Sequence, residues 1–279
     1  MAKLAGKRVL ITGAASGIGR CMVEEFLKAD CELIVSDINE EALNKTVEDL
    51  KSFGPMYPYV LDVSNRKQVE DMAAKVLSER GNVDILINNA GIGHTGEIIE
   101  TSLETWEKLV NINFWGPLYH IYAFLPAMVE ANSGHIVNIS SGQAFFRLPT
   151  WGPYATIKLA MGAISELMQV ELKKFKIKVT TVYPFMINTG FYSDVEGDTF
   201  GTKMAMKLLP YYSMSPERVA KIIFKAVKKQ KAVEKVTVLN DVGVLSRTVT
   251  PLSSIISTST LHFMGKNPED LKKDSELLS

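Results

Sequence analysis

Two cysteines, Cys21 and Cys31, and four histidines are all that this 279-residue chain has of the residues that staple small folds or hold transition metals. Two thiols cannot form a disulfide framework, and a reducing compartment suits them best. His94, His120, His135 and His262 show no HExxH spacing and the cysteines no CxxC spacing, so no metal centre is expected. An excess of either charge is also missing: 31 Lys+Arg stand against 31 Asp+Glu. General nucleic-acid binding needs a basic face and is not expected. There is no apolar run of 18 residues, so no membrane-spanning helix is expected. Met1–Lys7 leads straight into the strand-like Arg8–Thr12, without the build of a signal peptide. These absences point to a cytoplasmic protein.

What the chain does have is 46% hydrophobic residues, enough at this length for a large core. They fall in short β-branched runs: Val9–Ile11, Leu33–Val35, Tyr59–Leu61, Ile85–Ile87, Ile136–Ile139, Val179–Val182 and Val236–Leu239. Such runs suit strands buried on both faces of a parallel sheet. Helical patterns lie between them, near 17–29, 40–52, 65–80, 103–131, 154–175 and 216–229. Thr101 with Glu104 forms a capping box for one helix, and Ser215-Pro216 opens another. The alternation predicts an α/β fold: a single doubly wound parallel sheet of about seven strands with helices on both faces. Because it is unbroken, residues 1–240 read as one Rossmann-type domain and 241–279 as its C-terminal extension.

After the first strand comes Thr12-Gly13-Ala14-Ala15-Ser16-Gly17-Ile18-Gly19, a GxxxGxG loop opening a helix. Gly13, Gly17 and Gly19 permit the tight turn and close backbone approach, and the helix start, with Ser16 and Ile18, favours a dinucleotide pyrophosphate. Asp37 ends the second strand, 18 residues after Gly19. A carboxylate there can bind both hydroxyls of an adenosine ribose and repel a 2′-phosphate, while Ala15, Ser16 and Ile38 supply no compensating base. The expected cofactor is therefore NAD rather than NADP. Asp62-Val63 and Asn88-Asn89-Ala90-Gly91 follow the third and fourth strands, at the sheet edge where such folds bind ligands.

Tyr154 and Lys158, four apart at the start of a helix, project from one face just beyond Ser140-Ser141. With Thr12–Gly19, Asp62, Asn88–Gly91, Asn113 three residues before Gly116, Ser141, and Pro184 with Thr189, the chain resembles the short-chain dehydrogenase/reductase family in its single-domain branch, over residues 6 to about 239. The resemblance implies a catalytic tetrad of Asn113, Ser141, Tyr154 and Lys158. Ser141 is taken over Ser140, a structural hydroxyl, because it stands thirteen residues before Tyr154, the usual family spacing.

The implied cofactor contacts add Asn89, Ala90, Gly91, Pro184, Ile187 and Thr189 to the loop residues, Asp37, Asp62 and Val63. Tyr154 would exchange the substrate's hydroxyl proton. A free tyrosine has a pKa of about 10, so a neighbouring Lys158 ammonium and a positive nicotinamide would have to favour its phenolate. Ser141 would bond the substrate oxygen, Lys158 would hold the nicotinamide ribose, and Asn113 would anchor a water beside Lys158. Phe185, where the family has glycine, lines or narrows the substrate pocket; His94 is a further candidate for its wall.

Residues from about 188 to 214 read as a substrate lid rich in Phe191, Tyr192, Phe200, Met204, Met206, Leu208, Leu209, Tyr211, Tyr212 and Met214. That composition suits an apolar ligand, and the branch most resembled acts on retinoids, hydroxysteroids and other lipophilic alcohols. The expected activity is NAD-dependent oxidation of an apolar alcohol, or reduction of its ketone. A 3-oxoacyl-thioester reductase and a non-catalytic NAD-binding scaffold stand as alternatives. The helices at 103–131 and 154–175 resemble those that pair such enzymes into dimers or tetramers. Lys221, Lys225, Lys228, Lys229 and Lys231 read as a solvated helix end, and residues 242–264 as a segment packed on the body or a neighbouring subunit. A peripheral membrane contact is the alternative.

Overall fold

The computed structural model describes residues 3–188, 191, 204, 207, 208, 211, 213–248 and 250–266. Its strands are β1 (Arg8–Thr12), β2 (Glu32–Asp37), β3 (Met56–Val60), β4 (Ile85–Asn88), β5 (Gly134–Ile139), β6 (Ile177–Tyr183) and β7 (Val233–Lys235). They form a seven-stranded sheet in the order β3-β2-β1-β4-β5-β6-β7, with every pair parallel. The order reverses direction between β1 and β4, which opens a crevice at the C-terminal ends of those two strands.

Side-chain alternation along the strands builds a core on each face. Val9, Ile11, Leu33 and Val35 pack against α1 (Gly17–Leu27) and α8 (Pro216–Lys228), where Phe26, Val219 and Ile223 are fully buried. Leu10, Ile34, Leu86 and Ile136 face the other way, onto α3 (Arg66–Arg80), α5 (Gly116–Glu130) and α7 (Gly152–Glu171). Phe26 meets Phe224 edge-on with ring centroids 5.2 Å apart, a favoured aromatic geometry that fixes α1 against α8.

The helix starts show how local chemistry separates structural from functional ends. Asn39 caps α2 (Glu40–Leu50) and Asn65 caps α3, each accepting a backbone N–H of the first turn. Ser16, at the start of α1, makes no such side-chain bond, and no acid stands in that first turn.

Several expectations shift. The last strand lies at 233–235 rather than 236–239, because β7 pairs with Thr181–Tyr183 and the chain then turns into α9 (Leu239–Thr248). The pattern at 103–131 is not one helix: α4 (Leu103–Val110) and α5 are joined by a π turn at Asn111–Trp115. Ser102, not Thr101, caps α4, accepting from Thr105 N at 3.2 Å, while Thr101 donates its hydroxyl to Glu97 O at 3.0 Å. Among the described residues the chain past β7 is helical, with α9 followed by α10 (Thr250–Met264). Lys266 Nζ then pairs with Glu100 at 2.7 Å and Lys266 N donates to Glu97 at 2.9 Å.

Candidate active site

The glycine loop is bare backbone for steric reasons. Gly13 and Gly17 have φ of 65° and 51°, a left-handed conformation that costs glycine little. A Cβ on Gly19 would lie 1.9 Å from the Gly13 carbonyl oxygen, and one on Gly13 would lie 2.9 Å from Ala90 Cα. The loop is also tied to the strand beside it. Thr12 Oγ1 accepts from Asn89 N and Ala90 N, both at 3.0 Å, while Asn89 Nδ2 donates to Thr12 O and Gly13 O. With no side-chain cap on α1, the loop leaves backbone N–H groups and the positive helix end open to an anion.

One cavity of about 390 Å³ runs from this loop across the carboxyl ends of the strands. Its wall contains Gly13, Ser16, Gly17, Ile18, Gly19, Asp37, Asp62, Val63, Asn89, Ala90, Gly91, Ser141, Tyr154, Lys158, Pro184 and Ile187. Asp37 stands at one end, held by Ala15 N and Asn39 N at 3.0 Å each. Asp62 Oδ1 accepts from both the backbone N–H and the hydroxyl of Ser64.

At the other end Tyr154, 6% exposed, is wedged edge-on against Trp151 and tilted against Phe191, at 5.7 and 5.6 Å between centroids. Lys158 lies one helical turn on. Its Nζ is 5.7 Å from the centre of the Tyr154 ring and donates to Ile139 O at 3.1 Å. Burial pushes its ammonium down to about 8 from the usual 10.5. Ser141 Oγ accepts from Gln143 N at 3.2 Å. The Ser140 hydroxyl instead donates to Lys158 O at 2.6 Å, clamping β5 to α7.

Asn113 sits behind the wall, fully buried in the π turn. Its Nδ2 donates to Ile92 O and Leu109 O, and its Oδ1 accepts from Ile92 N. Both Nδ2 protons are therefore used, while Oδ1 keeps one acceptor position. A Cβ on Gly91 would lie 2.6 Å from Asn113 Oδ1 and 3.4 Å from Lys158 Nζ, so the two side chains converge on that glycine.

Phe185 lines the cavity and stacks on Phe146 at 4.6 Å. His94 does not line it; burial lowers its pKa, and its Nε2 bonds Thr101 Oγ1 at 3.2 Å. Of the expected lid, Phe191 lines the cavity, whereas Leu208 and Tyr211 are exposed. Thr189, Tyr192, Phe200, Met206, Leu209 and Tyr212 lie outside the described residues. The wall also holds Ile38, Ile92, Ile112, Gln143, Trp151 and Met186, which were not expected there although all but Trp151 lie within two residues of predicted ones. Among the described residues no cluster of His, Cys, Asp or Glu could hold a metal.

This arrangement agrees with the comparisons. The family model for short chain dehydrogenase matches residues 7–199. The chain belongs to the short-chain dehydrogenase family. The chain is similar to "Probable oxidoreductase EphD" of Mycobacterium tuberculosis, 35% identical over 239 residues, covering 82% of this chain and 40% of that protein. Human "Estradiol 17-beta-dehydrogenase 11" is 37% identical over 190 residues, covering 67% of this chain and 63% of that one. The chain thus spans less than two-thirds of the length of these curated relatives. A short-chain dehydrogenase from Streptomyces avermitilis superposes with a TM-score of 0.78 at 26% identity, covering 90% of this chain and 96% of that one. A Burkholderia phymatum family member in complex with NAD has the same fold, with a TM-score of 0.80 at 24% identity, over 96% and 99% of the two chains. The chain therefore carries this family's Rossmann-like parallel sheet.

Proposed function

We propose that the protein is an NAD-dependent dehydrogenase acting on the carbinol carbon of an apolar alcohol or on the matching ketone. The observation that carries the reading is one continuous cavity with Asp37 at its adenosine end and Ser141, Tyr154 and Lys158 together at the other. The bare glycine loop fits a pyrophosphate, and Asp37 fits a ribose without a 2′-phosphate. When bound, the dinucleotide supplies the hydride acceptor or donor. Ser141 Oγ holds the substrate oxygen, Tyr154 takes its proton in oxidation and returns it in reduction, and Lys158 steadies the phenolate. Trp151, Phe185, Met186 and Phe191 give the substrate end its apolar walls. A steroid, the ligand class that the human relative's name carries, is compatible with that lining.

The exposed Tyr122, Leu167 and Val170 on α5 and α7 support assembly into a homodimer or homotetramer through these helices. Cys21 and Cys31, buried with thiols pushed up to about 11, suit a cytoplasmic location. No helix among the described residues is long and apolar enough to cross a membrane.

The test is a panel of secondary, steroid and fatty alcohols and ketones assayed with NAD and NADP by nicotinamide absorbance. Turnover with NAD, lost by about 10²–10⁴-fold in Tyr154→Phe while cofactor binding persists, is expected. Binding of NAD without turnover of any alcohol or ketone would overturn the reading in favour of a scaffold.

A further inference from the structure

Gln143 lies in the cavity wall two residues beyond Ser141, on the short helix α6 (Gln143–Phe146). It is only 4% exposed. Its backbone N–H reaches Ser141 Oγ, and its side-chain Oε1 accepts from Leu148 N at 3.3 Å. Since a backbone N–H can only donate, the amide oxygen must face Leu148, and the NH₂ must face away from it. That NH₂ has no partner among the described residues.

The turn that sets this orientation is itself tightly constrained. Arg147 and Thr150 both adopt the left-handed region, at φ of 50° and 69°, which for a β-branched threonine is a genuine outlier held by its surroundings. Thr150 O accepts from Gly96 N at 2.7 Å, bracing the turn against the loop after β4. Trp151, Phe185 and Tyr154 line the same cavity. Its Nε2 is not closed off in the core, so the two N–H donors of Gln143 are open to the cavity, where a ligand or water can accept from them.

We propose that Gln143 determines substrate specificity by donating its amide N–H groups to a second oxygen on the substrate. The preferred alcohols then carry a carbonyl, ester or ether acceptor near the carbinol, on an otherwise apolar skeleton. Gln143 and Ser141 line the same cavity two residues apart, which puts the amide within reach of a substrate whose reacting oxygen Ser141 holds. The inference rests on the dehydrogenase reading above and adds the chemistry of the substrate's second contact.

The experiment compares matched ethyl 3-hydroxyalkanoates and 2-alkanols over a range of chain lengths, using the full chain with NAD. It compares wild type with Gln143→Met and Gln143→Glu. The first variant removes both ends of the amide. The second keeps an oxygen for Leu148 N–H and replaces only the donors. The kcat/KM preference for the ester-bearing alcohol should fall by about 10- to 100-fold in both, the effect of one buried hydrogen bond left unmade. A preference unchanged in both variants overturns the assignment. A fall in Gln143→Met alone also overturns it, because the effect then comes from loosening the 143–148 turn. Oxidation of neither alcohol by wild-type protein that still binds NAD overturns the dehydrogenase reading and, with it, this one.

Discussion

Replacing Lys158 with methionine should stabilise the protein near neutral pH relative to high pH while destroying its activity, and the pH dependence of that stabilisation can be worked out from the structure. The Lys158 ammonium is wholly buried, and burial lowers its pKa from 10.5 to about 8. The gap between these values, at about 1.4 kcal/mol for each pH unit, makes the charged lysine a cost to folding of about 3 kcal/mol at pH 7. The sign follows from proton binding. Between pH 8 and 10.5 the unfolded lysine keeps its proton and the folded one has lost it, so wild-type stability rises with pH through that window. Lys158→Met has no such group.

The mutant therefore gains about 3 kcal/mol at pH 7 from the missing charge, offset by about 1–3 kcal/mol because Ile139 O loses its hydrogen-bond donor. The offset does not depend on pH, so the difference in unfolding free energy between mutant and wild type should shrink by about 3 kcal/mol from pH 7 to 10.5. Urea unfolding of both proteins without cofactor, at one protein concentration and at several pH values, measures it directly. A difference that stays flat across that range would show that Lys158 is not a desolvated ammonium, and the account of how it tunes Tyr154 would fall with it.

Asp37→Ala should lower the NAD-over-NADP preference in kcat/KM by about tenfold or more, since it removes the carboxylate that repels a 2′-phosphate; an unchanged preference would mean the ribose is read elsewhere. Gly19→Ala should cost at least about 2 kcal/mol in denaturant unfolding, because its Cβ would lie 1.9 Å from Gly13 O. A cost near zero would mean that the loop gives way. Glu100→Lys should speed tryptic cleavage of the 239–266 tail by breaking the Lys266–Glu100 pair, whose side chains are 26% and 18% exposed. An isolated partly exposed pair contributes about 1 kcal/mol or less, so the global Tm should move by no more than about 4 °C. Cleavage at the wild-type rate would show that this pair does not hold the tail.

Much of the molecule was legible because its signals are local. Strands buried on both faces must be apolar throughout, so six of the seven appear near their runs. A tight phosphate loop requires glycine at 13, 17 and 19, and two side chains meeting on one helical face must stand four apart, as Tyr154 and Lys158 do. The apolar run at 236–239 misled because β7 is an edge strand, placed by its register on Thr181–Tyr183 rather than by hydrophobicity. The π turn left no mark in the 3.6-residue pattern, since one extra residue in a turn changes the phase only after Asn113.

The sequence by itself determined the fold class, the glycine loop and the placing of Tyr154 and Lys158 on one helical face, because each is dictated by spacing along one strand, loop or helix. Tertiary structure alone decided that the Ser140 hydroxyl bonds Lys158 O, that His94 turns to Thr101, and that Lys266 reaches Glu97 and Glu100. It also decided that Gln143 lines the cavity with its amide oxygen turned to Leu148 N. These assignments depend on which groups from distant segments satisfy one another's hydrogen bonds, and that pairing exists only once the chain has packed.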